Sequence, residues 1–159
     1  METSEFIIMK PVENDGDAET LRNFRNECKD YMTRNTNFIY QEDQFTWWRN
    51  LDKENNKLFL VHKVVDGVVA YIIGYGYIRV ENGEVLLTGG LTEKERGKGH
   101  GLQLFSFLLE NGKKFNLPVR LELLKSNVKA FIVYNNLGFR VTSDDGKIIK
   151  MEYRHDSAI

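Results

Sequence analysis

The chain has 159 residues, 42% of them hydrophobic and 12% aromatic, which suits one packed domain and is too apolar for a disordered segment. A formal net charge of −1 excludes the global basic field of a nucleic-acid binder or a protein held on an anionic membrane, and no apolar run approaches the roughly 20 residues of a membrane helix. A single cysteine, Cys28, excludes an internal disulfide; with an acidic, polar start over residues 1–5 that is unlike a signal peptide, the expected location is the cytoplasm.

Taken in order, residues 6–11 predict a first strand closed by Pro11. Asp15, Gly16 and Asp17 predict a turn, with Asp17 capping a helix that runs from Ala18 to about Thr33 on the three- and four-residue spacing of Leu21, Phe24, Cys28, Tyr31 and Met32. Residues 34–37 break the pattern. A second helix is predicted over 41–51, with an acidic start and an aromatic face that includes Trp47 and Trp48, and a charged loop comes after it over 52–56.

Strands over 58–65, 68–80 and 85–91 are separated by Asp66-Gly67 and by a turn around Asn82-Gly83. Both turn positions of such hairpins need positive φ, so these pairs predict an antiparallel meander. Gly74, Gly76, Gly89 and Gly90 lie inside it, where glycine predicts a bulge or a close backbone approach. Beyond a glycine-rich link, Leu102, Phe105, Leu108, Leu109 and Phe115 form the stripe of a third helix, ended by residues 116–118. A strand over 119–124 then lies parallel to 85–91 through a right-handed crossover. Ser126 and Asn127 cap a short helix closed by Gly138, a last hairpin joins 139–143 to 147–153 around Asp145-Gly146, and the tail 154–159 frays. The class is α+β in one domain, 1–159, with a mixed but mostly antiparallel sheet of about seven strands and about four helices.

The link between the 85–91 strand and the third helix reads Arg96-Gly97-Lys98-Gly99-His100-Gly101. Amides at a helix start lack partners and carry the positive end of the macrodipole, and glycines let a phosphate come close. The spacing is neither Gly-x-x-x-x-Gly-Lys-Ser/Thr nor Gly-x-Gly-x-x-Gly. The pattern left, Arg-x-x-Gly-x-Gly, resembles the pyrophosphate loop of the GNAT superfamily of acyl-CoA N-acyltransferases. Asn127, Ala130, Tyr134, Gly138 and Phe139 resemble that family's next segment in type, spacing and order.

The resemblance implies acetyl-CoA as co-substrate and no metal, bound between the fourth and fifth strands. It places the diphosphate on Arg96 and on Gly97, Lys98, Gly99, His100 and Gly101, with His100 itself a solvated loop side chain. It pairs the pantetheine arm with backbone around Leu91 and Glu93, and a bulge at Gly89-Gly90 splays the strands and turns an amide toward the thioester. Tyr134 becomes the general acid for the departing thiolate, Asn127 orients the cofactor or a water, and Ala130 and Phe131 border the arm. An amine must lose a proton before it attacks, and Glu84 and Glu122 are the candidate bases.

Acceptor choice in this family falls to the first two helices. The run from Arg22 to Asn26, then Tyr31, Met32, Ile39, Glu42, Trp47 and Trp48, resembles the pattern of N-acetyltransferases of nucleotide-linked amino sugars, whose relatives modify protein N-termini, and Arg25, Asn26, Tyr31 and Trp48 are the expected acceptor contacts. The leading expectation is therefore an acetyl-CoA-dependent N-acetyltransferase of a primary amine, an amino sugar first. The alternatives are a protein, peptide or antibiotic acetyltransferase and a coenzyme A-binding module without catalysis. The expected partners are a small amine and neither nucleic acid nor membrane; homodimers occur in the family, though nothing in the sequence locates an interface.

Overall fold

The structure, a computed structural model, describes residues 4–34 and 37–154. The polar start over 1–3, part of the break after the first helix (35 and 36) and the tail 155–159 lie outside the described residues. Seven strands form one sheet: β1 (Glu5–Pro11), β2 (Asn56–Val65), β3 (Val68–Glu81), β4 (Glu84–Leu91), β5 (Val119–Leu124), β6 (Phe139–Asp144) and β7 (Ile148–Tyr153). Their order is β1-β2-β3-β4-β5-β7-β6. Among the described residues only β4 and β5 run parallel, and their pairing is confined to Val85 with Val119 and Leu86 with Arg120. Four helices flank the sheet: α1 (Asp15–Glu27), α2 (Gln41–Asn50), α3 (His100–Gly112) and α4 (Val128–Asn136). The expected α+β architecture with one parallel pair is the one the chain forms.

The meander turns where the sequence says it does, because Asp66 and Gly67 (φ 50° and 81°) and Asn82 and Gly83 (φ 53° and 77°) occupy the left-handed region that such hairpins require. The start of α1 differs from expectation. Asn14, not Asp17, is the cap: its Oδ1 accepts from the Asp17 amide at 2.8 Å, while the Asp17 carboxylate reaches back to the Glu13 amide at 3.0 Å. The helix also ends early. Cys28 closes it, the apolar stripe continues into a tight turn over Lys29–Tyr31, and the Cys28 thiol donates to the Leu91 carbonyl at 3.7 Å. In α3 the helix begins at His100, two residues before the predicted Leu102.

Each face of the sheet carries a core. Leu104, Phe105, Leu108 and Leu109 of α3 pack with Val85, Leu87 and Leu121 on one side, whereas Leu21 and Cys28 pack with Leu58, Leu60, Tyr75 and Tyr77 on the other. No bulge interrupts β4, since its register with β3 is unbroken from Glu84 to Leu91; the irregularities fall between β2 and β3, at Val61/His62 and Lys63/Val64. The glycines instead permit close contact. A Cβ on Gly74 would collide with the Gly90 carbonyl, and one on Gly90 would stand 2.6 Å from Cys28 Sγ.

Candidate functional site

The β4–β5 ladder stops after two residue pairs, and beyond them the strands splay. Val85 donates its amide to the Pro118 carbonyl at 2.8 Å, so by the two-residue alternation of a strand Leu87, Gly89 and Leu91 also turn their backbone groups toward β5, past the end of the ladder. The even-numbered Gly90 turns its amide to β3 instead. The open edge borders a cleft of about 660 Å³ that extends from the glycine loop, past Tyr134 on α4, to Arg25 on α1.

The loop at one end of the cleft is shaped by two glycines. Gly97 (φ 77°) and Gly99 (φ 86°) are left-handed, and a Cβ added to Gly97, Gly99 or Gly101 would meet nothing within 4 Å. Gly99 is the N-cap of α3 and supplies no side chain, so the first amides of the helix have no side-chain cap. Open space above uncapped amides at a helix start is what an anion such as a diphosphate needs. Beneath the loop lies a buried ion pair that sequence reasoning did not foresee. Lys63 Nζ sits 3.0 Å from both Glu95 oxygens, with Tyr71 and Glu5 beside it. A lysine within the apolar run of β2 was the available signal.

His100 belongs to this under-layer. Its ring is buried rather than solvated, lies 3.8 Å from Glu95, and has neither nitrogen hydrogen-bonded, because α3 begins at His100 and turns it inward. Lys98 is half-exposed on the rim, 3.5 Å from Glu95. Arg96 is turned to the wall: Nε donates to the Leu91 carbonyl at 2.9 Å, and the guanidinium stacks on Tyr31, 4.7 Å from its ring centre. The Leu91 carbonyl is therefore occupied, as is that of Glu93, which accepts from the Arg96 amide. The backbone groups left for an extended arm are those of Gly89 and the Leu91 amide.

On α4, Tyr134 lines the cleft with its ring packed on Phe105, and among the described residues its hydroxyl has no hydrogen-bond partner. Burial pushes its pKa above the ordinary phenol value, so it stays protonated. Asn127 caps the helix, its Oδ1 accepting from the Ala130 amide at 3.2 Å, which leaves its amino group to the cleft; Ala130 lines the wall beside it. Phe131 does not border the cleft, because its position on α4 turns it into the core against α3.

Neither carboxylate is placed as a free base. Glu84 lies at the closed end of β4, outside the cleft, with its carboxylate 2.7 Å from Arg120. Glu122 lines the cleft but accepts from Thr33 at 2.9 Å and from Arg34 at 3.1 and 2.7 Å, and the Arg34 hydrogen bonds hold its pKa below the usual carboxylate range.

Of the acceptor residues, Arg25 and Tyr31 line the cleft. Asn26 clasps the Ile39 backbone, accepting from its amide at 2.7 Å and donating to its carbonyl at 3.0 Å, so it fixes the loop before α2. Trp48 packs in the α1–α2 core beneath the Lys53 ammonium. Tyr75, Tyr77 and Arg79, which sequence reasoning passed over, share one face of β3 and line the cleft with Thr88. Their spacing of two was the signal. Among the described residues no helix is long and apolar enough to cross a membrane, and no three His, Cys, Asp or Glu side chains converge.

No protein-family profile matches the chain, and no curated protein matches it by sequence. Solved structures match it by shape. A domain from Methanocaldococcus jannaschii aligns with a TM-score of 0.77 at 16% identity, covering 94% of this chain and 99% of that one. A spermidine N-acetyltransferase from Vibrio cholerae, in complex with CoA and spermine, gives 0.74 at 17% identity over 92% and 94%. A ribosomal-protein-alanine N-acetyltransferase from Brucella melitensis gives 0.71 at 15% identity over 93% and 99%.

Proposed function

We propose that this chain, which has the GNAT fold, is an acetyl-CoA-dependent N-acetyltransferase of a small primary amine, with its residues working as one catalytic domain. One observation carries the reading: the uncapped start of α3, with open space over Gly97, Gly99 and Gly101, stands at the mouth of a splay between parallel strands. A diphosphate suits the first feature and an amide-bearing arm suits the second, since Gly89 and the Leu91 amide can pair with it as another strand would. When bound, acetyl-CoA supplies the acyl group as a thioester.

In this reading Tyr134 handles the departing sulfur. A thiol ionises near pH 8.5, so at neutral pH the departing sulfur ends as the thiol, and the Tyr134 hydroxyl, kept protonated by burial, is the donor assigned here. Atoms and charge balance across the step: the neutral amine forms its bond to the carbonyl carbon, the carbon–sulfur bond breaks, Tyr134 gives its proton to sulfur, and the new amide loses one proton to water, from which Tyr134 is recharged. With Glu84 outside the cleft and Glu122 bound to Arg34, water takes the proton of the amine.

Of the four expected acceptor contacts Arg25 and Tyr31 line the cleft while Asn26 and Trp48 do not, so the acceptor assigned here is a small amine without a sugar requirement. The test is release of free thiol from acetyl-CoA against a panel of amino acids, amino sugars, polyamines and peptides, with calorimetric titration of coenzyme A alongside. Thiol release that depends on one amine class is expected. Coenzyme A binding without thiol release from any amine leaves a binding module, and no binding at all removes the proposal.

A further inference from the structure

The acceptor end of the cleft holds an arginine that, among the described residues, is bound to a neutral side chain. Arg25 is half-buried on α1, its Nη1 donates to the neutral Gln44 amide oxygen at 3.1 Å, and its guanidinium lies over Trp47, 4.9 Å from the ring centre. Its neighbours on these helices are paired differently: Arg22 is bound to Glu19, and Arg49 to Asp15. Among the described residues no carboxylate pairs with Arg25. Arg79 faces the same space from β3, close enough for its charge to act on Arg25; its Nε forms an ion pair with Glu81 at 3.3 Å on the rim but makes no hydrogen bond. Glu122, the carboxylate lining this end, is bound to Arg34.

A desolvated cation beside another cation is costly unless an anion joins them, and a guanidinium pairs with planar or tetrahedral oxyanions in a fixed fork. Arg25, Tyr75 and Tyr134 line the same cleft. An acceptor anchored at Arg25 would therefore keep its amine in the cavity that holds the acid.

We infer that the acceptor amine carries an oxyanion, a carboxylate or a phosphate, and that this group binds between Arg25 and Arg79. The inference rests on the acetyltransferase reading and narrows its substrate class. It also sets the chain apart from an acceptor site for polycations, which needs free carboxylates where this cleft has arginines.

The experiment compares amines that differ in the acidic group alone: β-alanine against propylamine, and O-phosphoethanolamine against ethanolamine, with spermidine as the cationic control. For at least one pair, kcat/KM for the acidic member is expected to exceed that of its neutral partner by about tenfold or more, the size of a charge-assisted contact. The pair that discriminates identifies the anion as carboxylate or phosphate. In Arg25→Met the ratio falls to about one, and in Arg25→Lys it recovers in part; if Arg25→Met fails to fold by circular dichroism, Arg79→Gln takes its place with the same expected fall. Equal rates within both pairs, or preference for spermidine, overturns the inference while leaving the acetyltransferase intact. If no amine releases thiol, calorimetry of the same pairs on the coenzyme A-loaded protein decides: binding of an acidic member alone supports the site, and no difference within either pair overturns it.

Discussion

Tyr134 and Phe105 meet edge to face, their ring centroids 4.8 Å apart and their planes at 63°. The contact fixes the phenol by its ring, and among the described residues the hydroxyl has no hydrogen-bond partner, so the oxygen can be removed without disturbing the packing. Tyr134→Phe is expected to lower kcat by about a hundredfold, the range of a lost general acid, with coenzyme A affinity and Tm nearly unchanged. Steady-state kinetics with calorimetry checks this, and full turnover by the variant removes the acid role.

Gly99 and Gly101 are both open to the cradle but differ in backbone. Gly99 is left-handed, so Gly99→Ala costs about 1 kcal/mol of strain wherever its side chain points. Gly101 lies inside α3 with ordinary helical freedom, where leucine is a better helix former by up to about 1 kcal/mol. Gly101→Leu should therefore hold or raise Tm while its side chain fills the space over the loop and abolishes coenzyme A binding. Thermal melts and calorimetry on the one protein separate the two effects; unaltered affinity would show that the diphosphate binds elsewhere.

Elements bounded by strong local chemistry were legible in the sequence. The β2–β3 and β3–β4 turns are set by Asp66-Gly67 and Asn82-Gly83, and β5 begins and ends where its apolar run does. The start of α1 was harder, since Asn14, Asp15 and Asp17 are all competent caps within four positions, and only the folded backbone selects Asn14. Side-chain direction was not legible. The motif locates Arg96, but the partner that turns it away from the loop, Tyr31, is 65 residues distant. His100 reads as part of a loop until Glu95 and Lys63 are brought beneath it, and the pairing of Glu122 with Arg34 spans 88 residues. Such contacts depend on tertiary packing, which local spacing does not encode.

Glu122 ties β5 to the segment before α2 through Thr33 and Arg34. With its pKa depressed by Arg34, it is a weak base at neutral pH, and the rising limb of kcat/KM with pH belongs to deprotonation of the acceptor amine. Glu122→Gln and Glu84→Gln should both leave that limb in place. Glu122→Gln should also raise the acceptor KM severalfold by loosening residues 33 and 34. A limb displaced by about one pH unit or more in Glu122→Gln would restore the carboxylate as the base.

Lys63 and Glu95, 3% and 4% exposed, support the loop from below, and their coupling sets a pH window for stability. The Glu95 hydrogen bond raises the Lys63 pKa, so its contribution is full below the unfolded value of about 10.4 and is lost as pH rises through the higher folded one. For Glu95, burial pushes the pKa up but Lys63 outweighs it; the net lowering makes its contribution present above about pH 4.3 and lost as pH falls further. Lys63→Met leaves the Glu95 carboxylate buried with the Tyr71 hydroxyl 3.3 Å away, Lys98 on the rim and His100 near it, and is expected to destabilise the protein at neutral pH. Without its cation the Glu95 pKa rises above the unfolded value, so the penalty shrinks as acid protonates it. Urea unfolding of both proteins between pH 7 and 4.5 should therefore show the gap narrowing toward acid; a gap that stays constant would mean that the pair carries no net charge coupling.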